Sequence, residues 1–211
     1  MKGKLTAVLA AAVGLMAASA AFAAIIEGTP GDDRLRGTVN ADVIAAKAGN
    51  DFVNARAGND LIKAGPGDDV VQGDFGSDTT FGGAGSDRVR SGGNDDVAWG
   101  GSGADSVHGG DGPDELHGGS GFDTVGGGPG DDRLWGGPGM DTLTGGPGDD
   151  VLHALADDDD LDTLLCGPGR DTAKVRKPER TIIRNCETIV KIVTPSAEEA
   201  AGEADRDAEA E

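Results

Sequence analysis

Residues 127–153 read GGPGDDRLW, GGPGMDTLT and GGPGDDVLH, three nine-residue units laid end to end. In each, glycine holds positions one, two and four, aspartate position six and leucine position eight. Working outward, the same cut holds back to Gly28, with units starting at residues 28, 37, 46, 55, 64, 73, 82, 91, 100, 109, 118, 127, 136 and 145. Ala154, Leu155 and Ala156 then insert three residues, and two more units start at 157 and 166. Glycine at this density without a period would suggest disorder; with a period it marks a repeat architecture.

Position six is aspartate in all sixteen units: Asp33, Asp42, Asp51, Asp60, Asp69, Asp78, Asp87, Asp96, Asp105, Asp114, Asp123, Asp132, Asp141, Asp150, Asp162 and Asp171. Position eight is aliphatic except at Thr80, Ala98 and Ala173. Position four is glycine except at Asn40, Asn94 and Asp160. Asn and Asp tolerate positive φ best among the other residues, so position four is expected to be a left-handed turn even where glycine is missing. Positions one to six then form a turn and seven to nine a strand. Three residues cannot hold a strand alone, but stacked turns pair each strand with neighbours about 4.8 Å away.

The pattern resembles the RTX, or hemolysin-type calcium-binding, nonapeptide, and the resemblance covers residues 28–174. The motif is a known signature of a calcium-binding parallel β-helix. The resemblance implies an all-β fold: a parallel β-roll, a right-handed solenoid with two units per coil, about eight coils in all. It also implies several Ca²⁺ ions, each held between turns two units apart by turn carbonyls and the sixteen position-six aspartates. Such sites number at most about fourteen, and the insertion is expected to remove some. One column would stack Asp33, Asp51, Asp69, Asp87, Asp105, Asp123 and Asp141. The other would stack Asp42, Asp60, Asp78, Asp96, Asp114, Asp132 and Asp150. Without metal the stacked carboxylates repel; with it they become ligands, so folding is expected to be coupled to Ca²⁺. Lys47 and Arg56, in place of the second glycine, are expected to weaken their neighbouring sites, and Thr80 and Ala98 to leave gaps in the apolar ladder. The insertion is expected to bulge or interrupt the coil.

The rest of the chain frames this segment. Residues 1–23 read as a cleaved export signal: Lys2 and Lys4, an apolar run from Leu5 to Ala17, and Ala21-Phe22-Ala23 as the cleavage site, with a cut after Ala20 as the second choice. A secreted, extracellular protein is expected, with no membrane span. In that setting the two cysteines, Cys166 and Cys186, favour a disulfide over two free thiols. Residues 175–193 read as a C-terminal cap, and 194–211 as a disordered acidic tail. With 38 acids against 18 bases the net charge is −20, which argues against nucleic acid as a partner.

No enzyme is expected. No HExxH or GxSxG motif is present, and too few residues flank the repeats for a catalytic domain. His108, His117 and His153 fall at position nine and are expected to lie in solvent, with His108 and His117 on opposite sheets. Trp99 and Trp135, also at position nine, are expected on one face, where they could form part of a binding strip. The alternative to a purely calcium-binding role is a calcium-dependent module that binds or adheres to an extracellular ligand through an outer face of the roll. The mixed residues at position seven argue against a regular ice-matching face.

Overall fold

The computed structural model describes residues 23–154, 160–176 and 181–192. The export-signal reading, apart from Ala23, and the acidic-tail reading lie outside the described residues.

The described chain contains nineteen strands. They are β1 (Ile25–Glu27), β2 (Arg34–Arg36), β3 (Val43–Ala45), β4 (Phe52–Asn54), β5 (Leu61–Pro66), β6 (Val70–Phe75), β7 (Thr79–Ala84), β8 (Arg88–Gly93), β9 (Val97–Gly103) and β10 (Ser106–Asp111). They continue with β11 (Glu115–Gly121), β12 (Thr124–Gly126), β13 (Arg133–Trp135), β14 (Thr142–Thr144), β15 (Val151–Ala154), β16 (Thr163–Leu165), β17 (Thr172–Arg176), β18 (Ile182–Arg184) and β19 (Thr188–Ile192). Odd strands form a ten-stranded sheet and even strands a nine-stranded one. All pairing between them is parallel, and a strand pairs with the one two units on: Ser106 with Thr124, Val107 with Val125. This is the expected β-roll. It is longer by about one coil than the sixteen units alone supply, because β1 precedes the first unit and β18 and β19 follow the last.

The core is the two position-eight columns, facing each other between the sheets. Ile44, Ile62, Leu116, Leu134 and Leu152 line the ten-stranded sheet; Val53, Val71, Val89, Val107, Val125, Leu143 and Leu164 line the other, and all are buried. Thr80 and Ala98 are buried in the same column, so the ladder narrows there without a break. Position one adds Ala46, Ala55, Ala64 and Cys166 to the core.

The glycine pattern has a packing cause as well as a conformational one. Positions two and four both take positive φ, as at Gly119 (φ 110) and Gly121 (φ 137). A Cβ at Gly119 would run into the Gly101 carbonyl of the preceding coil, and one at Gly121 into the Gly103 carbonyl. The turns also hydrogen-bond between coils: Gly110 N–H donates to the Gly127 carbonyl and Gly112 N–H to the Pro129 carbonyl, both at 2.8–2.9 Å. Asn94 takes the left-handed position-four conformation (φ 86), as expected. Asn40 does not: among the described residues, positive φ begins at Lys47. The first coil has no earlier turn to stack on, and Thr29 and Thr38 N–H groups instead bond Oδ2 of Asp33 and Asp42 within their own units.

The three-residue insertion does not interrupt the stack. The register lengthens to Thr142 with Thr163 and Val151 with Thr172, and both sheets continue. The two cysteines form the expected disulfide, Cys166–Cys186, with Cα atoms 5.2 Å apart. It joins the last unit to the segment carrying β18 and β19.

Candidate metal sites

Each unit places its aspartate where the turn enters the strand. The side chains of Asp42 to Asp171 at this position are buried, at most 3 % exposed, and Asp33 is half-buried. Their carboxylates stack in two columns. In one, Asp33 N–H donates to Asp51 Oδ1, Asp51 N–H to Asp69 Oδ1, Asp69 N–H to Asp87 Oδ1 and Asp87 N–H to Asp105 Oδ1, each at 2.7 Å. The other runs Asp42, Asp60, Asp78, Asp96, Asp114, Asp132 and Asp150 in the same way, at 2.6–2.9 Å. These are the two groupings that the repeat count puts together. The columns also cross the insertion, through Asp141 N–H to Asp162 Oδ1 and Asp150 N–H to Asp171 Oδ1, both at 2.9 Å. At the far end Glu187 Oε2 accepts from Asp171 N–H at 2.8 Å. Glu187 stands outside the nonapeptide pattern, so counting in nines does not reveal it.

The second oxygen behaves differently. Oδ2 of Asp51, Asp60, Asp69, Asp78, Asp87, Asp96, Asp105, Asp114, Asp132, Asp150 and Asp171 is buried with no hydrogen-bond partner among the described residues. An unpartnered buried carboxylate oxygen is costly, so burial holds these groups toward the neutral form. It pushes the Asp78, Asp87, Asp96, Asp114, Asp132 and Asp150 carboxyls up to about 7, and the inter-coil N–H bond only partly opposes it. Asp69 and Asp105 are pushed up to about 6 by the same burial.

Position-one glycine keeps the space beside Oδ2 open. A Cβ at Gly100 would collide with both Asp105 Oδ2 and the Gly118 carbonyl of the next coil. At Gly82 the colliding atoms are Asp87 Oδ2 and the Gly100 carbonyl, and at Gly118 they are Asp123 Oδ2 and the Gly136 carbonyl. A carboxylate oxygen and a carbonyl oxygen from successive coils thus converge on one gap, a hard-oxygen donor set of the kind Ca²⁺ takes. Among the described residues, no three His, Cys, Asp or Glu side chains gather to hold a metal. Backbone carbonyls must therefore supply much of any coordination shell. Ala46, Ala55, Ala64 and Ser91 carry a side chain at position one instead of glycine, and all four are buried. Lys47 and Arg56 take φ 84 and 85 without glycine, and Lys47 Nζ reaches away to Glu27 at 3.1 Å.

Two features escape a reading in nines. Position five forms its own ladder on the turn edge, in the opposite sense: Asn50 N–H donates to Asp32 Oδ1, Asp68 N–H to Asn50 Oδ1 and Ser86 N–H to Asp68 Oδ1, at 2.8–3.0 Å. At position nine of the ten-stranded sheet, Phe81, Trp99, His117, Trp135 and His153 stack as one continuous ladder, with centroids 4.4–5.4 Å apart. Trp99 and Trp135 do share a face, as expected, but His117 lies between them. His117 and His153 are buried in the stack, which corrects the expectation of solvated histidines; His108, on the other sheet, is exposed. Burial pushes the His153 imidazole down to about 3. The signal was present as aromatic residues every eighteen positions.

Two facing parallel sheets, wound from glycine turns that stack carboxylates into columns, define a β-roll of the metal-binding repeat class. The sequence model of the RTX calcium-binding nonapeptide repeat (4 copies) matches residues 27–62, 47–80, 54–89, 81–116, 90–125, 108–139, 126–161 and 135–172. The chain therefore belongs to the RTX calcium-binding nonapeptide repeat family, and calcium binding follows from that membership. No curated protein matches the chain. No helix among the described residues is long and apolar enough to cross a membrane.

Proposed function

We propose that this is an exported, non-catalytic protein whose fold is completed by Ca²⁺ bound along the two aspartate columns. The ligands are the position-six aspartates, Asp33 through Asp171, together with carbonyls of the glycine turns. Bound there, the ion supplies positive charge to carboxylates that burial otherwise drives toward protonation. Position-one glycine leaves the gap open, and positions two and four let the turns approach closely. The units starting at 82, 100, 109, 118, 127, 136 and 145 keep glycine at positions one, two and four, and they hold the strongest sites. The units starting at 46, 55, 64 and 91 hold weaker ones, because a side chain fills position one. The strands β18 and β19, tied by the disulfide, cap the stack.

The observation that carries this reading is the row of buried Oδ2 atoms without partners. Eleven such groups, divided between the two columns, are expensive unless cations complete them. The test is a calcium titration from excess chelator, followed by far-UV circular dichroism and calorimetry. The expected result is a cooperative gain of β signal with several ions bound per chain. An equally folded protein in excess chelator would refute the coupling of folding to calcium.

A further inference from the structure

The outer face of the nine-stranded sheet carries a charge opposite to that of the whole protein. Positions seven and nine of its strands point away from the core, on either side of the buried position eight. Along position seven the face reads Arg34, Phe52, Val70, Arg88, Ser106, Thr124, Thr142, Thr163 and Ile182. Along position nine it reads Arg36, Asn54, Gln72, Arg90, His108, Gly126, Thr144, Leu165 and Arg184. No acid occupies either row, in a chain with 38 acids against 18 bases. Arg34, Arg36, Arg88 and Arg90 are exposed, and none makes an ion pair among the described residues. The guanidinium of Arg34 lies over the Phe52 ring, 5.5 Å from its centroid, and Arg34, Arg36, Phe52 and Asn54 line a shallow cleft. Asp74, an acid in the adjoining turn, accepts from Asn54 Nδ2 at 2.8 Å.

The geometry points to this face as a binding site for an acidic polysaccharide, one bearing carboxylate or sulfate groups. The proposal rests on the calcium-stabilised roll described above. Arginine is the residue best suited to such anions, because its planar fork meets two oxygens at once. The pairs Arg34/Arg36 and Arg88/Arg90 stand three strand steps apart, about 14 Å along a straight face. Amides and hydroxyls of Asn54, Gln72, Ser106, Thr124 and Thr142 line the rest and suit a polyhydroxylated chain. The stripe formed by positions seven to nine is three residues wide, about 10 Å. It is bordered by exposed turn acids such as Asp32, Asp68, Asp95 and Asp131. A narrow polymer fits between these margins. A nucleic acid duplex, with one groove alone about 12 Å wide, would press its phosphates onto the acids. A membrane surface would do the same, and of the large apolar side chains in these two rows only Ile182, at the far end from the arginines, is exposed.

The test uses the full chain in calcium, with dextran sulfate and hyaluronate as the acidic polymers and neutral dextran as the control, read by calorimetry. The comparison protein carries Arg34→Gln, Arg36→Gln, Arg88→Gln and Arg90→Gln together; a second carries Lys63→Gln and Arg133→Gln on the opposite sheet. The expected result is binding of the acidic polymers that weakens with added salt, a loss of at least ten-fold in the four-arginine variant, and no change in the opposite-sheet variant. Equal binding of dextran would overturn the proposal. So would undiminished binding by the four-arginine variant, which would place the polymer on calcium at the turn edges instead. Tighter binding of duplex DNA or anionic vesicles would overturn the choice of polysaccharide. Circular dichroism with and without calcium reports the calcium reading separately, since glutamine on an exposed face leaves that signal unchanged.

Discussion

The two oxygens of each position-six carboxylate have separate fates, and two predictions follow from them and from the glycines around them. Oδ1 accepts from the N–H of the aspartate one coil earlier in the column, while Oδ2 is buried and mostly unpartnered. Burial raises the folded pKa of eleven of these aspartates above the ordinary 3.8, to about 7 at Asp87 and Asp114. The metal-free folded state therefore holds protons that the unfolded chain has released, and its stability falls as pH rises from about 4 to about 7. His153 acts in the opposite sense below its ordinary 6.5, but it is one group against eleven. In chelator, β signal is expected to grow on acidification from pH 8 to pH 5; a flat circular dichroism profile would contradict this. With calcium the dependence reverses, because binding displaces protons and affinity rises with pH. The glycines give a sharper contrast. Gly119→Ala puts a Cβ against the Gly101 carbonyl at φ 110, and is expected to lower stability by about 1–3 kcal/mol from the strained backbone alone. Arg56→Gly at φ 85 relieves strain already present and is expected to be neutral or stabilising in the same thermal melt. The position-four rule was legible at Asn94, which keeps the left-handed turn, but it misled at Asn40, whose coil has no earlier turn to stack on. The need for glycine at position two came from a carbonyl one coil away, which a single unit does not display.

A strand of three residues gains its meaning from the strand eighteen positions on. That distance explains what the sequence made plain and what it hid. A nine-residue frame exposes turn, ligand and core positions, because these are fixed within a unit. Lateral partners belong to every second unit, so the position-five ladder and the aromatic ladder emerge only in a frame of eighteen. The histidines show the cost of the shorter frame. His117 looks like a surface residue beside its sequence neighbours, yet in the sheet its flat ring lies between Trp99 and Trp135, 5.4 and 4.4 Å from theirs. Aromatic pairs add about 0.5–1.5 kcal/mol each. His117→Ala, which breaks two, is expected to cost about 1–3 kcal/mol on that basis and to expose both indoles, seen as a red shift in fluorescence. His108→Ala, on the other sheet, is expected to stay within about 0.5 kcal/mol of the parent. Equal effects would mean that the ladder contributes nothing.

At the scale of the whole molecule the roll is a one-dimensional stack, each coil resting on its two neighbours. Charge is sorted across that stack rather than along it: acids collect at the turns, and the nine-stranded face keeps its arginines. The same arrangement makes the parity of the repeat count a structural variable. Removing residues 100–117 takes out one full coil. Every later strand stays in its own sheet, and Trp135 moves down to cover Trp99. Removing only residues 100–108 moves every later strand to the opposite sheet. Position eight is apolar in every unit downstream of the cut, so the core closes again, and the Cys166–Cys186 bridge, wholly downstream, is carried along unchanged. The aromatic ladder does not survive: His117 and Trp135 cross to the other face, and Gly126 comes to lie over Trp99. Both deletions are expected to keep calcium-dependent β signal. Only the nine-residue deletion is expected to expose Trp99, with red-shifted and more readily quenched emission. Identical fluorescence in the two proteins would show that strands are not committed to alternate sheets by unit parity.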